Sequence, residues 1–134
     1  MTHTLKLFLV CMVGFMILDG IWLGVVMKSF YRDQLAPIAR MADGSLAPNW
    51  PAAFFVYVAL GIGITVFVMP RATDALSAAT TGALFGLVVY GVYDLTNFAT
   101  LAQYPLAVMF VDMAWGSVAT AICAVAAHAI VGQG

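Results

Sequence analysis

Four long apolar stretches alternate with short polar segments along the chain. Each stretch is close to the roughly 20 residues that an α-helix needs to cross the hydrocarbon core of a bilayer. The pattern therefore predicts an all-α fold, an integral membrane bundle of four transmembrane helices at about residues 7–27, 52–69, 78–101 and 106–131. We expect residues 1–134 to form a single four-helix transmembrane domain with a long polar loop at residues 28–49.

The polar segments determine how the helices run. The tight Gln103-Tyr104-Pro105 turn makes the third and fourth helices antiparallel neighbours. With four crossings, both termini lie on one face of the membrane, and the long loop and this turn lie on the other. Basic residues are divided almost evenly between the two faces, so the positive-inside rule leaves the orientation open.

Composition narrows the class of protein further. Hydrophobic residues make up 64% of the chain and charged residues 8%, with a mean hydropathy of +1.04. Soluble globular domains carry roughly a quarter charged residues, so that class is excluded. The net charge of −1 offers no basic face to nucleic acid, and the expected partner is membrane lipid. Cys11 and Cys123 lie in apolar runs and indicate no disulfide framework or metal site, and no motif indicates a cofactor.

The acidic residues carry the main functional clue. All six are Asp, and Asp19, Asp94 and Asp112 lie inside apolar stretches. At 1.5 Å per residue, they are about 12, 10 and 9 Å from helix ends that all belong to the long-loop face. The three carboxyl groups are therefore predicted to share one layer, about a third of the way into the membrane.

Hydrogen-bonding and aromatic neighbours extend this layer. Tyr90 and Asn97 share a helical stripe with Asp94, and a Trp follows three residues after each of the other two acids. The candidate ligand-binding residues are Asp19, Trp22, Tyr90, Asp94, Asn97, Asp112 and Trp115. No Lys or Arg lies within the spans at this depth, so protons, a bound cation or Lys28 and Arg32 must balance the charge. We expect Lys28 or Arg32 to cap the entrance to the layer.

Three classes of function fit these residues. An intramembrane ionisable residue indicates a functional site, so the leading hypothesis is a protein that binds or translocates a cation, a proton or a polar lipid head group. An alternative is a membrane-embedded lipid-modifying enzyme, with paired carboxyls as acid and base. A third is a structural or accessory subunit in which the Asp residues are interhelical locks. The sequence leaves open whether the protein is an enzyme.

Five phrases of sequence occur in a fixed order. They are Leu18-Asp19-Gly20-Ile21-Trp22-Leu23-Gly24, Phe30-Tyr31-Arg32, Tyr93-Asp94-Leu95-Thr96-Asn97, Pro105-Leu106 and an Asp112-x-x-Trp115-Gly116 phrase. Together they resemble a family of small bacterial inner-membrane proteins known only as a conserved domain of unknown function. The resemblance covers nearly the whole chain and is most specific at Tyr-Asp-Leu-Thr-Asn. Family members commonly have Trp where this chain has Tyr104, which leaves an aromatic anchor in place.

The resemblance implies a four-helix, multi-pass protein of the bacterial inner (plasma) membrane. It singles out the same Asp, Trp and Asn positions as the residue patterns do. It carries no activity across and names no substrate, and it leaves a homo-oligomer open.

Overall fold

The computed structural model describes residues 1–132 of the chain. Within that part, four helical segments are long and apolar enough to cross a membrane: His3–Val26, Trp50–Arg71, Ala75–Thr100 and Leu106–Val131. The prediction of an all-α fold with four membrane-spanning helices is confirmed. The first three segments begin two to four residues earlier than the apolar stretches predicted.

Polar caps outside the apolar stretches explain these earlier starts. The Thr2 side chain accepts a hydrogen bond from the Leu5 amide, and Asn49 does the same for Ala52. Asp74 and Ser77 form a reciprocal capping box, and the Ser77 hydrogen bonds hold the pKa of the Asp74 carboxyl below its ordinary value. A cap satisfies amides that have no partner within the helix, so each helix begins at its cap.

Two of the four spans contain wide helical turns. The first consists of α1 (His3–Ile21) followed by a π-helical segment, Trp22–Val26. In the second, α3 (Trp50–Gly63) continues into a π-helical segment, Ile64–Val68, and then a 3₁₀ turn. Pro70 lies in that turn; it has no N–H group and its ring would clash with the carbonyl four residues earlier, so a regular helix cannot continue there.

The predicted polar loop is itself structured. It contains a short helix, α2 (Lys28–Leu35), and a minimal antiparallel hairpin of β1 (Met41–Ala42) and β2 (Ser45–Leu46). Asp43 and Gly44 at its tip have φ values of 52° and 73°, as the two-residue turns that match strand twist require. Tyr31 of α2 is buried, so the loop is anchored to the bundle.

The last two spans are the uninterrupted helices α4 (Ala75–Thr100) and α5 (Leu106–Val131), which pack closely along their length. A Cβ atom added at Gly86 would overlap the Gly116 backbone, and one at Gly82 would lie 2.9 Å from the Thr120 carbonyl oxygen. Gly82 and Gly86 therefore allow α4 and α5 to approach closely.

The helices are arranged so that α1 packs against both α3 and α5, while α5 packs against α4. The second span meets α4 mainly at the π-helical segment Ile64–Val68, so α3 and α4 diverge from there toward the long-loop face. On the opposite face the His3 ring lies 2.9 Å from the Gly132 carbonyl oxygen, as expected for termini that share a face. Large apolar side chains cover the outside, as in a multi-pass membrane protein in contact with lipid.

Candidate functional site

Asp19 is buried where three helices meet. Its Oδ1 accepts a hydrogen bond of 2.8 Å from the Trp115 indole of α5, and its Oδ2 accepts one of 2.9 Å from the Tyr57 hydroxyl of α3. One carboxyl group of α1 therefore connects α3 and α5 through two donors that carry no charge.

The Asp112 carboxyl group is bound by a residue of the long loop. Its Oδ1 accepts a 2.9 Å hydrogen bond from the Tyr31 hydroxyl of α2, and that hydroxyl accepts one of 3.1 Å from the Trp22 indole. Burial, reinforced by the negative charge of Asp112, raises the pKa of the Tyr31 hydroxyl. Tyr31 therefore stays protonated and remains a donor to the carboxyl group.

The two Asp-x-x-Trp phrases of α1 and α5 pack on each other. The Trp22 and Trp115 rings stack in parallel, with 4.3 Å between their centroids and 1° between their planes. Trp115 donates to Asp19 of the other phrase, and Trp22 reaches Asp112 of the other phrase through Tyr31. The Asp-x-x-Trp spacing that the two helices share thus corresponds to an approximately reciprocal pair of contacts between antiparallel helices.

Asp94 is completely buried, at 0% exposure. Its Oδ1 accepts a 2.6 Å hydrogen bond from the Tyr104 hydroxyl, whereas its Oδ2 receives none within the described part of the chain. The side chain that faces Asp94 is the Asp112 carboxyl group. Asn97 lies beside the Tyr104 hydroxyl, and burial together with the hydrogen bond to Asp94 raises the pKa of Tyr104.

The three acids consequently belong to one connected network of side chains. It runs from Asp19 through the stacked indoles and Tyr31 to Asp112, and then to Asp94 and Tyr104. Tyr90 packs against Phe15, with 6.2 Å between ring centroids, and faces the space between Asp19 and Asp112. All seven residues proposed as ligand-binding from the sequence lie in or beside this network.

Sequence reasoning did not identify the tyrosines that hold the acids: Tyr31, Tyr57 and Tyr104. They donate to Asp112, Asp19 and Asp94 from positions 81, 38 and 10 residues away, respectively. Only the last pair could have been found, because the tight turn after α4 folds Tyr104 back toward Asp94. The other two pairs depend on how α2 and α3 dock.

A cleft of about 460 Å³ lies between the diverging helices α3 and α4. Asp19 and Asp112 lie at its inner end, and the rings of Phe85, Tyr90 and Tyr93 form much of its α4 side. Its volume falls within the range of small-molecule sites, about 300–1,000 Å³. The cleft thus lies between two helical segments that are long and apolar enough to cross a membrane.

A larger cleft of about 750 Å³ adjoins it beneath the long loop, and Asp19 and Tyr93 line both. Lys28 and Arg32 line this second cleft. The Arg32 Nε atom pairs with Asp33 Oδ1 at 3.0 Å, and this is the only salt bridge within residues 1–132. None of the three membrane-embedded acids is therefore ion-paired in the described part of the chain.

The three acids belong to one layer of the bundle, but their carboxyl groups do not meet at a single position. Among residues 1–132, no three His, Cys, Asp or Glu side chains are close enough together to hold one metal ion. Asp19 lies on the α1 side of the network and the Asp94–Asp112 pair on the α4–α5 side. The arrangement offers two separate acidic positions, each held by neutral donors.

Comparison with known proteins gives one match. The sequence model of a family described as "Predicted membrane protein (DUF2177)" matches residues 4–129, which is nearly the whole chain. No curated protein and no solved structure matches the chain.

Proposed function

The chain belongs to the family of predicted membrane proteins DUF2177, and we propose that it binds an amphipathic cation, such as an amine-bearing lipid, from within the membrane. The cationic group would lie against Asp19 and Asp112 at the inner end of the smaller cleft. Asp94, the two tryptophans, Tyr90 and Asn97 would maintain the shape of this acidic site. The observation that carries the proposal is a pair of carboxyl groups, without a basic partner, in an aromatic cleft open to lipid.

The charge balance supports a cation. An acid in a membrane span costs several kcal/mol to bury as a carboxylate, about 2.5–3.5 kcal/mol at the bilayer centre on insertion scales. Here the side-chain donors to the three acids are Trp and Tyr groups, which solvate a negative charge without neutralising it. A positively charged ligand would offset part of this negative charge.

The walls of the cleft support the same chemistry. Phe85, Tyr90 and Tyr93 present aromatic rings, whose faces attract a cation within about 6 Å of the ring centre. The remaining lining is largely apolar, with Leu23, Val56 and Leu60 among it. Such a surface suits a molecule with a hydrophobic part next to its charge.

The distribution of basic residues supports access from the bilayer rather than from the long loop. Lys28 and Arg32 line the larger cleft, between the loop and Asp19. Their positive charges would repel a cation arriving from that side. In this proposal they cap the loop-side entrance, and the ligand passes between α3 and α4.

The proposed setting is the bacterial inner membrane, in accordance with the resemblance noted from the sequence. All three acids come from one chain, so a second copy is not needed to complete the site. The proposal therefore assigns ligand binding to the monomer, whatever assembly it forms.

Binding of a shape-matched pair of probes tests the proposal. Purified protein in lipid nanodiscs is titrated with tetraphenylphosphonium, a hydrophobic cation, and with tetraphenylborate, an anion of the same shape, by calorimetry. We expect the cation to bind saturably and the anion not to bind.

Asp19→Asn is the informative variant because it keeps the size and an accepting oxygen while removing the charge. We expect it to weaken binding of the cation at least about tenfold, as loss of a buried charge partner does. Asp43→Asn is the matched control, since Asp43 is exposed at the tip of the hairpin and lines neither cleft. Equal binding of cation and anion, or unchanged binding by Asp19→Asn, would overturn the proposal.

A further inference from the structure

Asp94 and Asp112 form a pair of carboxyl groups inside the α4–α5 interface. Each has one oxygen held by a tyrosine hydroxyl, at 2.6 Å for Asp94 and 2.9 Å for Asp112. The second oxygen of Asp94 is fully buried and has no donor within residues 1–132. The Asp112 carboxyl group is a direct neighbour of Asp94, so a proton shared by the two groups would give this oxygen a hydrogen-bond partner.

We propose that Asp94 and Asp112 hold a single proton between them, and that this proton leaves when a cation binds at Asp19 and Asp112. The second half rests on the proposed function, whereas the first half stands without it. The proposed ligands are thereby restricted to cations whose binding displaces the proton held by Asp94 and Asp112.

Electrostatics requires the shared proton. Two carboxylates in contact at low dielectric repel strongly, and one proton converts that repulsion into a hydrogen bond between a carboxylic acid and a carboxylate. The Tyr31 and Tyr104 hydroxyls cannot supply this hydrogen, since each already donates its hydrogen to the Oδ1 atom of one acid. The indole groups donate to Asp19 and Tyr31.

The exchange balances charge within the site. When a cation approaches Asp112, the carboxylic O–H bond breaks and its electron pair stays on the carboxylate oxygen. The proton passes to water at the long-loop face, where Tyr104 and Tyr31 lie outside the spans. One positive charge enters and one leaves, so the net charge of the buried site is unchanged.

Several other titratable groups face the pair and enter any pH dependence. They are Tyr31 of α2, Tyr90 and Tyr93 of α4, Tyr104 of the turn and Asp19 of α1. Tyr57 of α3 faces Asp19 and reaches the pair only through it. All five tyrosines are poor acids, so the carboxyl groups are the proton donors in the neutral range.

Infrared spectroscopy of the ligand-free protein tests the pair by itself. Wild-type protein in nanodiscs at neutral pH should show the C=O stretching band of one buried, protonated carboxylic acid, and the band should disappear at high pH. Asp94→Asn and Asp112→Asn should each abolish it, because an amide then donates to the remaining carboxylate. Asp43→Asn should leave it unchanged, since Asp43 is exposed at the tip of the hairpin.

The wild-type pH titration does not depend on whether a variant folds. Absence of the band from wild-type protein at neutral pH, or its survival in either single variant, would overturn the shared proton.

Proton release tests the exchange. Tetraphenylphosphonium is added to wild-type protein in weakly buffered solution with a pH-sensitive dye, and we expect about one proton to be released per bound cation. We expect the Asp94→Asn variant to bind the cation without releasing a proton. Saturable binding by wild-type protein with no release would overturn the exchange but leave the proposed function intact. If the infrared band is present but no cation binds, the shared proton stands and the proposed function is overturned.

Discussion

Each membrane-embedded carboxyl group is held by a tyrosine from outside its own helix. Tyr57 of α3 holds Asp19 of α1, Tyr31 of α2 holds Asp112 of α5, and Tyr104 of the turn holds Asp94 of α4. A phenol hydroxyl donates strongly without adding charge, so it orients a carboxylate and leaves it negative. The three contacts fix the directions of the acids but do not neutralise them.

Tyr104→Phe should destabilise the protein by about 1–3 kcal/mol, because it removes the hydrogen-bond donor to Oδ1 of the buried Asp94. Thermal unfolding in detergent, with the unfolding free energy taken from the transition, measures the loss.

Tyr90→Phe is the matched control for Tyr104→Phe. It removes the same atom, but the Tyr90 hydroxyl makes no hydrogen bond within residues 1–132. If the two variants are equally stable, the 2.6 Å hydrogen bond from Tyr104 to Asp94 contributes nothing to the free energy of unfolding.

Sequence alone could identify the acids and the tryptophans but not two of the tyrosines that hold the acids. An Asp in an apolar stretch is visible from composition, and the positions of Trp22, Trp115 and Asn97 follow from helical spacing. The tyrosines are different, because Tyr31 and Tyr57 reach the acids only after α2 folds over the bundle and α3 docks on α1. Residue patterns within one helix carry no information about contacts made between helices.

Among the helices, α4 and α5 form the most closely packed pair. Gly86 faces the Gly116 backbone, and Gly116 in turn leaves room for the Tyr90 ring. This close approach brings Asp94 and Asp112 together, since one acid belongs to each helix. The small residues therefore set the distance on which the carboxyl pair depends.

Gly86→Ala should destabilise the protein by about 1–3 kcal/mol, because the added methyl group overlaps backbone that cannot move without separating α4 from α5. The same variant should lose the infrared band of the shared proton. Melting temperature and the infrared spectrum measure the two effects.

Gly20→Ala is the control for Gly86→Ala. A Cβ atom there meets nothing within 4 Å, and alanine favours a helix over glycine, so stability should be unchanged or slightly higher. Equal stability of Gly86→Ala and wild-type protein would show that the helices can separate at no cost.

The elements differed in how far the sequence predicted them. The four spans could be predicted because a run of about 20 apolar residues has the length that a helix needs to cross a bilayer. Their ends were less clear, since capping residues such as Asn49 and Asp74 lie outside the apolar stretches. The hairpin and the π-helical segments were not predicted, because two-residue strands and wide turns leave no periodic signal.

The molecule as a whole has an open side between α3 and α4. The second span contacts α4 at Ile64–Val68 and diverges from it toward the long loop, and the smaller cleft lies between the diverging helices. The depth of the acids could be computed from helix direction alone. The opening could not, because it depends on which helices touch and where.

Ala59→Phe should block access from the bilayer, because Ala59 lines the smaller cleft and a benzyl group would fill much of its mouth. We expect binding of tetraphenylphosphonium to weaken at least about tenfold, with little change in melting temperature. Titration of the variant in nanodiscs measures the binding.

Ile62→Phe provides the control on the same helix. Ile62 is 50% exposed and lines neither cleft, so the enlarged side chain projects into lipid. If both variants bind like wild-type protein, the cation does not pass between α3 and α4.

The two π-helical segments have a consequence for chain length. A π turn closes its hydrogen bond one residue later than an α turn, so Trp22–Val26 and Ile64–Val68 each accommodate one residue more than a regular helix would. A deletion there returns the turn to α-helix and keeps the flanking faces in register, whereas a deletion in α4 or α5 rotates everything beyond it by about 100°. Within the four spans, tolerance of single-residue deletions should therefore be confined to the first two, at the borders of the cleft.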